Sequence, residues 1–256
     1  MIKITFPDNS IREYESGTTA DTIAASISPS LRKKCVAAKL DGEIYELNRP
    51  IAADANLELI TNDNEDAMHV LNHSCAHLMA GAIKRIYSDV KFGVGPAIEE
   101  GFYYDFDTEE KVTDEDLSKI EEMMVKIASE GLDIKRKELN REEAKTFFTD
   151  DEYKQELIDA IEEGDLITIY EQGEFADLCA GGHVINTQEI KFFKLLSVAG
   201  AYWRGDSKNK MLTRIYGYAA FSQADVDAYL EILKERKERD HKKIGKELEL
   251  FTLTPL

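Results

Sequence analysis

The stretch E-D-A-M-H-V-L-N-H-S-C-A-H-L-M-A-G-A-I-K-R-I-Y, residues 65–87, decides the architecture of this chain. Leu71, Cys75, Leu78, Met79, Ala82, Ile83 and Ile86 recur at helical spacing, which predicts one long helix from Glu65 to Tyr87. The polar run T-N-D-N-E-D before it (61–66) serves as a joint and a cap. Strands and a short helix come before this helix, and strands and helices without βαβ regularity come after it. That order predicts an α+β chain. His73 and His77 fall one turn apart on one face of the helix, with Cβ atoms about 5–6 Å apart. His69 lies one further turn back and reads as a surface or supporting residue.

Upstream, residues 1–62 read as a small unit. Ile2–Phe6 and Ile11–Tyr14 alternate as strands around a P-D-N-S turn. Thr18 or Thr19 caps a short helix through T-A-D-T-I-A-A-S-I. V-A-A-K-L, E-I-Y-E-L and L-E-L-I follow as strands, with D-G and A-D-A-N as turns. A hairpin, a helix and further strands predict a β-grasp, ubiquitin-like fold. The order resembles a TGS domain, a β-grasp module of some synthetases and GTPases. With no G-x-x-x-x-G-K-[ST] segment, a GTPase is disfavoured.

Downstream, residues 63–222 read as a larger α+β unit. G-V-G-P-A-I-E-E-G-F-Y-Y-D-F (93–106) is a turn into a hairpin, and residues 113–131 form an amphipathic helix with a Thr cap and a stopping Gly. A strand end and an Asn-capped helix occupy 135–148, and D-D-E-Y-K-Q-E-L-I-D-A-I (150–161) is helical. I-T-I-Y-E, E-F-A-D-L and I-K-F-F-K-L-L-S-V are strands. A charged, solvated connector helix is expected over 223–243, and residues 244–256 begin a further element.

The formal net charge of −18 argues against broad, sequence-blind nucleic-acid binding. The charge is uneven, however. Glu99–Glu122 holds 11 acids against 2 bases, whereas Lys191–Arg214 holds 6 bases against 1 acid, enough for a few phosphates. No run is long and apolar enough for a membrane span, and M-I-K-I-T-F lacks a signal-peptide core. Three scattered cysteines make a disulfide framework improbable and point to a cytoplasmic protein with reduced thiols.

The chemistry gathers in two clips of equal spacing, His73/His77 in N-H-S-C-A-H and Cys179/His183 in D-L-C-A-G-G-H. Three readings are open. The four side chains suit tetrahedral zinc, although Ser74 stands where H-E-x-x-H needs its glutamate. They also suit metal-free hydrolysis, in which imidazole activates water and the Gly181 and Gly182 N–H groups bind an oxyanion. Or they are structural, which fits two matched clips poorly.

H-S-C-A-H, G-P-A-I-E-E-G-F-Y-Y-D-F, Y-K, D-L-C-A-G-G-H and K-L-L-S-V-A-G-A-Y-W-R-G-D-S-K-N-K-M-L-T-R-I-Y-G resemble the N-terminal half of bacterial threonyl-tRNA synthetases over nearly the full chain. The resemblance implies a TGS domain, an editing domain, a linker helix and, at D-H-K-K-I-G-K-E-L-E-L-F, the entrance to a class II catalytic domain. The ATP and zinc sites of such a parent, a homodimer, would lie beyond this fragment, which is expected to be monomeric. The implied activity is hydrolysis of Ser-tRNA(Thr) while Thr-tRNA(Thr) is spared. A missing methyl is worth only about 1–3 kcal/mol in binding, so a second site must raise fidelity.

Carried residue by residue, the resemblance makes His73 the leading base, orienting water or ribose. It makes Lys154 a water-holding or oxyanion-stabilising cation. His77, Cys179 and His183 line the pocket, with His183 relaying a proton. Asp177 holds the serine amino or hydroxyl group, and Gly95 and Tyr104 form the wall. Arg204, Lys208, Lys210 and Arg214, with Trp203, face the tRNA acceptor end. No metal is required on this reading, and zinc at His73, His77, Cys179 and His183 is disfavoured. The sequence departs from the family's usual pattern at Ala180 and Gly182, which often are Arg and Pro, and at the added His69. The alternatives are a zinc-dependent alanyl-type deacylase and a non-catalytic TGS-containing RNA-binding module.

Overall fold

A computed structural model describes residues 1–239; the expected start of a further domain at 244–256 lies outside the described residues, as does the end of the connector. In the first unit, β1 (Ile2–Thr5) and β2 (Ile11–Tyr14) form the hairpin. Helix α1 (Ala20–Ile27) starts at Thr19, whose hydroxyl accepts from Thr22 N. The short α2 (Pro29–Lys34), unforeseen in the sequence, is capped by Ser28 with Pro29 in its first turn, where a missing N–H costs nothing. Then come β3 (Cys35–Leu40), β4 (Glu43–Tyr45) and β5 (Ala55–Thr61). The sheet order is β2-β1-β5-β3-β4, with β1 and β5 parallel, as a β-grasp requires. Its core of Ile2, Ile4, Ile23, Leu47, Ile51 and Leu57 is almost fully buried.

Helix α3 (Glu65–Ile86) follows from its Asn64 cap and is the central element of the second unit. Fourteen of its residues are buried, more than one face provides. It is packed on several sides, against β3 and the second unit's sheets and helices. β6 (Lys91–Phe92), β7 (Ala97–Ile98) and β8 (Gly101–Asp107) lead into a 3₁₀ turn opened by Thr113 and then α4 (Leu117–Glu130), which stops at Gly131 in the left-handed region. β9 (Ile134–Leu139), the Asn140-capped α5 (Arg141–Phe147) and α6 (Glu152–Ala160) precede the hairpin of β10 (Ile167–Gln172) and β11 (Phe175–Leu178). β12 (Phe192–Tyr202) and β13 (Met211–Ala220) form a long hairpin, of which the sequence reading saw only the first strand. The two sheets run β11-β10-β9 and β12-β13-β8-β6, with β7 beside β8.

Helix α7 (Gln223–Glu238) is the expected connector, capped by Ser222. It is fastened rather than free. Tyr229 stacks on Tyr218 with ring centroids 3.9 Å apart, and Arg236 makes a two-pronged pair with Glu100 at 2.6 and 2.7 Å. Among the described residues no helix is long and apolar enough to cross a membrane, and Cys35, Cys75 and Cys179 are free thiols.

Candidate functional site

The two clips meet. Helical spacing puts the His73 and His77 rings 5.2 Å apart on α3. The loop leaving β11 brings the His183 ring to 4.3 Å from His73 and 4.2 Å from His77. Cys179 Sγ sits 3.2 Å from His183 Nε2 and 3.5 Å from His73 Nε2. His73 and Cys179 are partly exposed, while His77 and His183 are buried.

Ser74, which the sequence reading passed over, sets the His183 tautomer. Its single hydroxyl proton goes to Val70 O at 2.7 Å, so its oxygen accepts from Val184 N at 3.0 Å and from His183 Nδ1 at 3.3 Å. That leaves His183 Nε2 with a lone pair facing the Cys179 thiol.

Behind the imidazoles lies an ion pair. Lys154, on the first turn of α6, is 2% exposed. Its ammonium contacts Asp177 and donates to Gly93 O at 2.7 Å. The Asp151 carboxylate fixes that turn by accepting from Tyr153 N and Lys154 N, and ties it to β6 through Phe92 N at 3.0 Å. Asp177 lies on β11 and is also buried. It accepts from the Tyr104 hydroxyl and stands 3.8 Å from His77 Nε2. Gly95 lies flat against the Tyr104 ring, where any Cβ would collide with it. Lys154, Asp177, Tyr104 and Gly95 thus join the four residues of the clips in one site.

The electrostatics follow from burial. Loss of water pushes His73 down to about 4, aided by His69, and His77 down to about 3; His183 goes well below its ordinary value for the same reason. Three neutral imidazoles therefore face the cleft at neutral pH. Burial raises the Cys179 thiol to about 12 even though the Gly181 N–H opposes it, so a resting thiolate nucleophile is excluded. Burial and the Asp177 charge hold the Tyr104 hydroxyl protonated as well.

One expectation is corrected. The Gly181 and Gly182 N–H groups are not open oxyanion donors. Gly181 N points to Cys179 Sγ at 3.3 Å, and Gly182 N donates to Glu46 Oε1 at 3.1 Å. Both glycines have positive φ, and this turn aims their N–H groups back into the protein. Glu46 belongs to the first unit and also accepts from the Tyr170 hydroxyl at 2.6 Å. A residue more than 120 positions away in sequence thus holds the loop between Cys179 and His183. Nothing local in E-I-Y-E-L could have revealed it.

The basic strip is largely neutralised by the acidic stretch. Arg214 forms a two-pronged pair with Asp105 at 2.6 and 2.7 Å and covers the Tyr103 ring at 3.8 Å. Lys210 pairs with Asp107 and Arg204 with Glu156. Trp203 is core, donating to Glu156 and packed on Tyr153. Lys208 is exposed, and no ion pair to it is found among the described residues. His69 is exposed at the rim, with its ring centroid 6.4 Å from that of His73.

The profile of the TGS domain matches residues 2–61, and that of the threonyl and alanyl tRNA synthetase second additional domain matches residues 167–216. The chain joins a TGS domain to a synthetase second additional domain. It is similar along its whole length to threonine--tRNA ligases: 60% identical over 256 residues to that of Staphylococcus saprophyticus, and 58% identical over 253 residues to threonine--tRNA ligase 1 of Bacillus subtilis. These matches cover 100% and 98% of the chain. The chain spans 40% and 39% of the length of those two relatives.

The four clip residues also fit a zinc ion. Their ligand atoms lie within 4.8 Å of one another, close to the roughly 3.3–3.8 Å edges of a tetrahedron with ~2.0–2.3 Å bonds.

Proposed function

We propose that this chain is the proofreading part of a cytoplasmic threonyl-tRNA synthetase and hydrolyses Ser-tRNA(Thr) while sparing Thr-tRNA(Thr). The observation that carries this reading is the convergence of His73, His77, Cys179 and His183 beside the buried Lys154–Asp177 pair. Water supplies the nucleophile. Its oxygen bonds to the ester carbonyl carbon as His73 accepts its proton. The carbon–oxygen bond to the ribose then breaks, and the proton passes to the leaving oxygen. An imidazole held near 4 rests in the basic form, and its conjugate acid gives the proton up readily. Asp177, acidic among imidazoles, suits the substrate's ammonium group. Lys154 supplies a fixed positive charge beside it, which favours a developing oxyanion. The Tyr104–Gly95 contact leaves no slack in the wall, which supports exclusion of a methyl group.

The test is deacylation of Ser-tRNA(Thr) and Thr-tRNA(Thr) by the wild type beside His73→Ala. Serine is released much faster than threonine, and the variant loses most of the rate. Equal release of both amino acids refutes the sieve.

The ligand geometry favours a second reading, an alanyl-type zinc deacylase in which His73, His77, Cys179 and His183 hold the ion. Bound there, zinc would acidify a water and polarise the carbonyl. The metal-free reading is preferred because the hydrogen-bond network already engages the thiol and His183. Under the same proposal, ATP-dependent aminoacylation and dimerisation belong to the remainder of a longer parent, and tRNA reaches the site past Arg204, Lys208, Lys210 and Arg214.

A further inference from the structure

Ester cleavage at neutral pH makes a carboxylate and an alcohol from an ester and water, so one proton must leave the site at each turnover. The buried groups cannot keep it. His73, His77 and His183 are strongly disfavoured as cations, and the Cys179 thiol and Tyr104 hydroxyl are already protonated. Lys154 and Asp177 are committed to each other. The site therefore needs a route to water.

We infer that His69 is that route, passing the product proton from His73 to solvent; the inference rests on the proposed ester hydrolysis. His69 lies on the same face of α3 as His73, one turn nearer the N-terminus, and its ring is exposed. The two rings are 6.4 Å apart between centroids, a gap that one bridging water spans. His69 lines a cleft of about 530 Å³ with Met68, Asn72, Ala97 and Tyr218. Two further groups of that cleft carry charge, Glu65 one turn back on α3 and Glu99 on the turn after β7. Both are acids, so a proton arriving at His69 enters a negative surround on its way out. Asn72 cannot take over the role, because its amide is bonded to Met68 O, Ala219 O and Ala219 N. The balance closes without another reactant. Water's two protons end on the ribose hydroxyl and, through His73, a water and His69, in bulk solvent.

The experiment measures multiple-turnover deacylation of Ser-tRNA(Thr) by the 256-residue chain, wild type against His69→Ala and His69→Gln. It is run at pH 7.5 in dilute buffer and again with added imidazole. The expected result is a fall in kcat of about tenfold in both variants with KM unchanged. Added imidazole should restore the variants and leave the wild type unaffected. Gln keeps hydrogen bonding but carries no proton, so rescue by His69→Gln would indicate a merely structural role and overturn the assignment. Unchanged kcat in both variants, or a loss that imidazole does not repair, also overturns it. If the wild type cleaves no aminoacyl ester, the functional reading falls first and the relay with it. If the wild type cleaves and the variants match it, only the relay falls.

Discussion

Cutting the Lys154–Asp177 pair tests whether the site is as dry as its burial says. The two side chains are 2% and 4% exposed. Lys154→Met leaves the Asp177 carboxylate buried with the Tyr104 hydroxyl as its remaining close donor, and Asp177→Leu leaves the ammonium with Gly93 O alone. Removing one partner of a buried pair costs about 3–5 kcal/mol, a large part of an ordinary domain's ~5–15 kcal/mol. The double variant Lys154→Met/Asp177→Leu strands no charge. Its cost is mainly the orphaned Tyr104 hydroxyl, about 1–3 kcal/mol. The singles therefore sum to about 6–10 kcal/mol, and the cycle gives a coupling of at least ~3 kcal/mol. Urea unfolding followed by fluorescence of the single Trp203 reads this directly, because that ring is buried against Tyr153 on the helix that carries Lys154. All three variants should lose Ser-tRNA(Thr) hydrolysis, the double one while regaining stability. Single variants that each cost under ~1 kcal/mol and simply add would mean a solvated pair, and the argument for a desolvated cleft would fail.

Four further outcomes are expected. Stability should fall on acidification from pH 7.5 to 5.5. Histidines with depressed folded pKa values stabilise above about 6.5, and this is lost as pH drops toward 4 for His73 and 3 for His77; His183 acts in the same direction. Glu189, raised to about 7 by burial, works oppositely, losing its contribution as pH rises through 7. Three histidines at about 1.3 kcal/mol each, less about 2 from Glu189, leave a net loss near 2 kcal/mol, and a flat urea midpoint over that range would contradict it. Gly95→Ala should push the Tyr104 ring aside, cost about 1–3 kcal/mol and cut hydrolysis, and wild-type kinetics there would show the wall to be pliant. Glu46→Ala should release Gly182 N and Tyr170, cost about 1–3 kcal/mol and slow hydrolysis with the first unit still folded, as judged by amide exchange. Chelation should leave hydrolysis intact with zinc well below one equivalent by elemental analysis; lost activity restored by zinc would favour the second reading.

Local structure was legible in the residues. Caps at Thr19, Asn64, Asn140 and Ser222, the stop at Gly131 and the periodicity of 65–87 predict helices that form where expected, because each depends on neighbours within a turn. That His73 and His77 share a face is likewise helical geometry. Less was legible where partners are distant. Strand β13 carries Arg214 and Tyr216 outward and Gly217 inside, so its pattern does not announce a strand until β8 lies beside it. The same register sets Arg214 opposite Asp105, and the acidic and basic stretches, read separately in the sequence, largely cancel there.

By itself the sequence determined the two clips, their spacing, the helix that presents one of them and the glycine turn that presents the other. Only the tertiary structure decided that the clips meet, that Lys154 and Asp177 neutralise each other beneath them, and that Glu46 takes the Gly182 N–H. The reason is physical. Helix and cap propensities are settled within a few residues of chain, whereas burial, ion pairing and the pKa of a buried imidazole depend on what packs there from elsewhere, and that is known only once the chain has closed around it.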